Sequence, residues 1–224
     1  MEILDNIPVE ISVENVLKAL RLSRRSLSME KSIRNLMGKV KQVARPKVLY
    51  KVSYIENRDE NSVNIDGKKF NSRILKMNLE NAERVFPYII TAGRELESIE
   101  ISKSDYMEMF LLDAIKELIL ESAIGYFEIY LTKKYAIGTM SHMNPGSLRD
   151  WPVTQQTGLF SIFGDVDDLI DVKLTSSFIM DPIKSVSGIY FPTEINFKSC
   201  MLCSMQRCSK RRAAYSPEMV EKYS

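Results

Sequence analysis

Three cysteines stand close together near the carboxyl end. Cys200 and Cys203 flank Met201-Leu202, and Cys208 follows after four further residues. Thiolates at this spacing can reach one metal from a tight turn, or occupy three corners of an iron–sulfur cluster. Arg211 and Arg212 follow soon after. Cations there would lower thiol pKa values and offset a negative cluster, and would serve equally to dock an acidic partner. An intracellular chain has no stable use for three neighbouring cysteines as disulfides. Cys200, Cys203 and Cys208 are therefore candidate ligands of one metal centre, an iron–sulfur cluster ahead of zinc. The bland alternative is three unligated thiols on a loop. No second Cys or His group exists to complete a four-residue zinc site in the usual way, apart from the distant His142, the only histidine.

A second stretch with chemical potential runs from Asn144 to Phe191. It opens Asn144-Pro145-Gly146-Ser147 and reaches Trp151-Pro152, a Pro/Gly loop able to present backbone groups to a ligand. Further on, Ser185 and Ser187 alternate with Val186 and Gly188, which leaves one strand face small and polar, suited to close approach by a ligand or a neighbour. By local chemistry alone this is a loop, a short helix and two apolar runs joined by Met180-Asp181-Pro182-Ile183; an ordinary β-connection looks the same. Glu121 is a carboxylate among Leu118, Ile124 and Gly125, costly to bury without a partner.

These residues need a scaffold. Ser12 is placed to cap a helix with Val13, Val16, Leu17 and Leu20 on one stripe. A second helix is expected from about Ser28 to Ala44, ended by Arg45-Pro46. Its other face carries Lys31, Arg34, Lys39 and Lys41, a solvated face or a basic docking patch. Val48–Ile55 reads as a strand, Val63–Phe70 as a hairpin turning at Asp66-Gly67, Asn78–Arg84 as a short helix, and Phe86–Gly93 as a buried strand. The longest element should be a helix from about Ser104 to Tyr135, with Met107, Phe110, Leu111, Ala114, Leu118, Glu121, Ile124 and Gly125 near one face. Asp165, Asp167, Asp168 and Asp171 lack the glycine and glutamate of a calcium loop and read as a solvated turn. The expectation is an α+β fold: a mainly antiparallel sheet covered by helices, the long one packed across it. Three segments follow: a helical 1–46, a core 47–198 and a Cys/Arg-rich tail 199–224.

Several separated blocks also occur in a telling order: Pro145-Gly146, Trp151-Pro152, Lys173-Leu174-Thr175-x-Ser177-Phe178-x-Met180-x-Pro182, and Ser185-Val186-Ser187-Gly188-x-Tyr190-Phe191. Together they resemble the activation domain of cobalamin-dependent methionine synthase, specifically over residues 144–191 and more weakly over 10–143. The resemblance implies S-adenosylmethionine binding and contact with a corrinoid module whose oxidised cobalt is reductively remethylated. It places the ligand against the loop Asn144, Pro145, Gly146, Ser147 and Trp151 and against Ser185, Val186, Ser187 and Gly188. Glu121 would face its positive end and His142 its carboxylate. His142 stands where the family has an arginine, Ser147 where a tyrosine is common, Ala136 where methionine synthase has an acid, and Ser176 in place of the glutamate of Thr-Glu-Ser. Weakened ligand affinity is expected, because a histidine lacks the bidentate fork and permanent charge.

Composition bounds the rest. With 224 residues, 45% hydrophobic and 27% charged, the chain can bury a full core and is not disordered. A net charge of +2 argues for no nucleic-acid partner, and no apolar run is long enough for a membrane span. The acidic amino terminus lacks a signal-peptide pattern, so a cytoplasmic location is expected. No Ser-His-Asp set, phosphate-cradling glycine loop or paired-carboxylate motif occurs, which disfavours hydrolase and kinase readings. Without the modules that bind homocysteine, folate and cobalamin, the chain would act on a corrinoid-carrying partner, with an electron donor. The alternatives are a non-catalytic corrinoid-protein binding module and a small iron–sulfur or zinc protein.

Overall fold

The computed structural model describes residues 1–21, 26–208 and 210–223. A short strand, β1 (Glu2–Leu4), comes first. Ser12 then opens α1 (Val13–Ala19) by a capping box with Asn15, its Oγ accepting the Asn15 N–H at 3.1 Å. Ser26 caps α2 (Leu27–Val43) in the same way, through the Met29 N–H. Next come β2 (Lys47–Tyr50), β3 (Ser53–Arg58), β4 (Ser62–Ile65), β5 (Lys68–Asn71), α3 (Arg73–Asn78) and β6 (Arg84–Thr91). A 3-10 turn at Arg94–Ser98 leads to α4 (Tyr106–Tyr135), whose cap is Asp105. The chain continues through β7 (Met140–Met143), α5 (Gln156–Phe163), α6 (Val166–Ile170), β8 (Lys173–Leu174), β9 (Met180–Asp181) and β10 (Ser185–Pro192), and ends in α7 (Pro217–Tyr223).

The fold is α+β, with an antiparallel sheet built around β6. On one edge β6 pairs with β10, which pairs with β7; on the other it pairs with β2 and, nearer its start, with β3. The β3–β4–β5 meander extends from there, turning at Asp66-Gly67 as the sequence suggests. The expected strand Val48–Ile55 appears as two pieces, β2 and β3. Its register nevertheless runs on, Tyr50 facing Tyr88 and Ser53 facing Val85. Pro87 lies between and has no N–H to give the ladder, so the pairing is interrupted there.

Alternation along the strands loads both faces of the sheet. Val48, Tyr50, Phe86, Tyr88, Ile90 and Tyr190 face α1, α2 and α4 in one core. Leu49 and Ile89 face α5 and α6, and Ile189 and Phe191 join Trp151, Phe70 and Phe197 in a third cluster. Across α4 the buried residues are Leu111, Leu112, Ile115, Ile119, Leu120, Ala123, Phe127 and Leu131. The sequence had suggested a neighbouring stripe; Met107 and Phe110 are exposed, and Leu118 is only partly buried. The helix is apolar nearly all round, so periodicity there is a poor guide to its buried side.

The expected short helix at Asn78–Arg84 is also misplaced. Ser72 caps α3 six residues earlier, accepting the Leu75 N–H at 2.9 Å. Leu75, Leu79 and Ala82 are all buried, so helical spacing persists beyond the helix itself. The acid-rich turn after Gly164 is a short capped helix, α6, with Val166 and Ile170 buried. The sequence pattern announces neither β7 nor α7. Among the described residues no helix is long and apolar enough to cross a membrane.

Candidate functional site

A cleft of about 900 Å³ opens between α4, the end of β7, the start of β10 and the tail. Asn144, at the exit of β7, fixes one wall. Its amide nitrogen donates to the Tyr88 hydroxyl and to the Ser187 carbonyl, both at 2.7 Å. The following loop turns at Gly146, whose φ of +85° favours glycine, and closes with the Gly146 N–H on the Trp151 carbonyl at 2.7 Å. Trp151 is fully buried and packs edge-on against Phe70, anchoring the loop from behind. Asp150 fastens it further by accepting the Ile74 N–H at 3.0 Å and the Ser72 hydroxyl.

Of the residues expected to meet a ligand, Glu121, His142, Asn144, Pro145, Gly146, Ser147, Val186 and Ser187 all line this cleft. Trp151, Ser185 and Gly188 do not. Trp151 belongs to the core, and Ser185 is held by Thr91 and the Pro182 carbonyl. Gly188 is needed by the protein itself: a Cβ there would stand 2.5 Å from both the Asn144 side chain and the Met143 carbonyl. Its smallness seats Asn144 and leaves no approach for a ligand.

Cys200, Cys203 and Cys208 line the same cleft. Arg211 organises their loop, donating to the carbonyls of Cys200, Cys203, Met205 and Ala213. The Arg212 N–H points at the Cys200 sulfur from 3.4 Å. All three thiols are free and partly accessible. Among the described residues, no three His, Cys, Asp or Glu side chains are arranged to hold a metal ion.

Glu121 is not buried as its apolar neighbours suggested. It is exposed and accepts from Lys210 at 2.7 Å, while Glu117, one turn earlier, takes the same ammonium at 3.0 Å. Glu117 also pairs with Lys184 at 3.0 Å. Burial pushes the Glu117 carboxyl up, but the hydrogen bonds and charges of Lys184 and Lys210 outweigh it and hold it below the usual range. Sequence reasoning missed Glu117, Lys198, Lys210 and Gln156. Glu117 had one available signal, its i, i+4 spacing from Glu121. The tail cations become meaningful only once the chain folds back over α4.

His142 sits in β7 opposite Tyr190, with ring centroids 4.9 Å apart. Its Nε2 lies 3.0 Å from the Arg212 guanidinium. Burial, then Arg212, then Lys198 push its pKa down to about 4. A second pocket of about 460 Å³ continues from here between α4 and β7, lined by His142, Glu121, Glu128, Lys198 and Arg212 among others.

No family model matches this sequence, and no curated protein does. Among solved structures the chain is similar to one described as the MetH reactivation domain bound to AdoHcy. The TM-score is 0.60 at 16% identity, covering 89% of this chain and 81% of the other. At that identity the likeness establishes a reactivation-domain-like fold.

Proposed function

We propose that the cleft binds S-adenosylmethionine and that the protein acts in trans on a cobalamin-carrying methionine synthase or related corrinoid methyltransferase. One observation carries this reading. Within a reactivation-domain-like fold, the hydrogen-bonded loop at Asn144–Ser147, Val186 and Ser187 of β10 and the carboxylates of Glu117 and Glu121 converge on one cleft. The backbone of the loop and Ser187 would take the adenosine portion, and the α4 carboxylates would face the sulfonium and ammonium charges. Restoring an oxidised corrinoid needs one electron and one methyl group. The methyl would come from the sulfonium, which leaves as a thioether, and the electron from a separate donor.

The cysteine tail is our proposed place for a metal: Cys200, Cys203 and Cys208 would hold an iron–sulfur centre, which would supply one-electron chemistry, only after their loop closes the three thiols onto one point, an arrangement they do not have as they stand. It is supported by the three thiols sharing the cleft and by the cations around them. A second reading, a corrinoid-protein binding module without S-adenosylmethionine, is favoured by Lys210 already standing on Glu117 and Glu121.

The test is functional. A cobalamin-carrying methionine synthase lacking its own activation domain would be oxidised, then given S-adenosylmethionine and a one-electron reductant. This protein should restore the methylcobalamin spectrum; no acceleration over the mixture without it would sink the proposal. For the tail, anaerobic reconstitution with iron and sulfide should load the wild type and not the triple Cys→Ser variant. Equal, negligible iron in both would remove the centre.

A further inference from the structure

The cations of the tail fall into two groups. Lys210 is held by Glu117 and Glu121, and Arg211 is engaged by four carbonyls. Lys198 and Arg212 differ. Both line the large cleft and the smaller pocket beside it. Among the described residues neither forms an ion pair, and the Arg212 side chain's hydrogen bond is to His142 Nε2, at 3.0 Å.

That contact fixes the state of the ring. A guanidinium only donates, so Nε2 must accept, and the imidazole carries its proton on Nδ1. The ring stays neutral because it is buried beside two cations. A neutral acceptor takes one N–H of the fork and leaves the others free. The other charged groups facing this place are Lys210 and Arg211, both engaged, and three α4 acids, of which Glu117 is held by Lys184 and Lys210. Glu121 is taken up by Lys210, and Glu128 lines only the smaller pocket.

We infer that Lys198 and Arg212 form a carboxylate-binding subsite at the β7 end of the cleft, with His142 aiming the guanidinium. The inference rests on the reading of the cleft given above and deepens it. A planar fork with spare donors beside an ammonium matches a carboxylate. With Glu117 and Glu121 across the cleft, the site separates positive and negative ends as a zwitterionic amino-acid group does. The tail thus supplies the cation that β7 lacks at His142. An arginine in place of His142 would meet Arg212 head-on and would not strengthen the site.

The test has two arms on the full chain. In the first, sodium acetate is titrated while the His142 ring resonances are followed by NMR. A saturable shift in the wild type, lost in Arg212→Gln and weakened in Lys198→Gln, is expected; no response overturns the subsite. In the second, calorimetry compares S-adenosylmethionine with its decarboxylated analogue. The carboxylate should favour binding about tenfold or more, the scale of one charge-assisted hydrogen bond, and Arg212→Gln should erase the preference. Equal affinities in the wild type overturn the subsite while leaving the wider reading intact. If neither nucleoside binds, the wider reading falls and the acetate titration alone decides.

Discussion

Lys210 occupies the carboxylates that a cationic ligand would need, so replacing it should tighten binding. Its ammonium contacts Glu121 at 2.7 Å and Glu117 at 3.0 Å, yet its side chain is 57% exposed. Ion pairs at that exposure contribute about 0.2–1 kcal/mol each, so the two together hold about 0.4–2 kcal/mol. A ligand bringing a sulfonium and an ammonium must displace Lys210 and forfeit that amount. Lys210→Gln removes this competitor, freeing Glu121 and leaving Glu117 paired with Lys184 alone. Affinity for S-adenosylmethionine should rise by about two- to thirtyfold, the factor equivalent to 0.4–2 kcal/mol. Calorimetry at low ionic strength is the assay, with urea unfolding alongside; stability should fall by no more than the same amount. Near 1 M salt, where the screening length is about 3 Å, the difference between wild type and variant should shrink. An unchanged or weaker affinity in Lys210→Gln would refute the reasoning, and would show that Lys210 assists the ligand or lies apart from it.

Other consequences can be checked separately. Ile119→Ala should cost about 2–5 kcal/mol by denaturant unfolding, because Ile119 is 1% exposed, whereas Phe110→Ala on the exposed side should stay within about 0.5 kcal/mol. His142 should titrate by NMR near 4 and remain neutral at pH 7. Its folded pKa lies below its ordinary value of about 6.5, so the unfolded chain binds the proton first, and its contribution to stability should be lost as pH falls from about 6.5 through 4. Gly188→Ala should destabilise by about 1–3 kcal/mol, since the new methyl meets the Met143 carbonyl and the seat of Asn144. Ligand affinity should fall with it, as Asn144 leaves Tyr88 and Ser187.

Much of this fold was legible because short-range rules decide it. Ser12 and the Asp66-Gly67 turn act through backbone geometry a few residues long, and the β6 run and the Ile189-Tyr190-Phe191 end of β10 are too apolar to lie anywhere but in a core. The blocks from Asn144 to Phe191 also conveyed the overall fold. What stayed hidden depends on long-range packing. Nothing local to Trp151 says whether an indole after a Pro/Gly loop faces a ligand or a core; Phe70, far away in sequence, decides it. Gly188 looked like an opening for a ligand and is instead filled by Asn144. Glu121 looked stranded among apolar neighbours because its partner, Lys210, arrives from the tail. Arg212 beside His142 is likewise a product of the tail's return, and no spacing in the chain announces it.

Binding of S-adenosylmethionine in the cleft is tested by calorimetric titration of the purified full chain. Saturable one-to-one binding is predicted, abolished or strongly weakened by Asn144→Ala, which frees the loop wall, and tightened by Lys210→Gln. No heat of binding in any of the three proteins, each confirmed as folded, would contradict it.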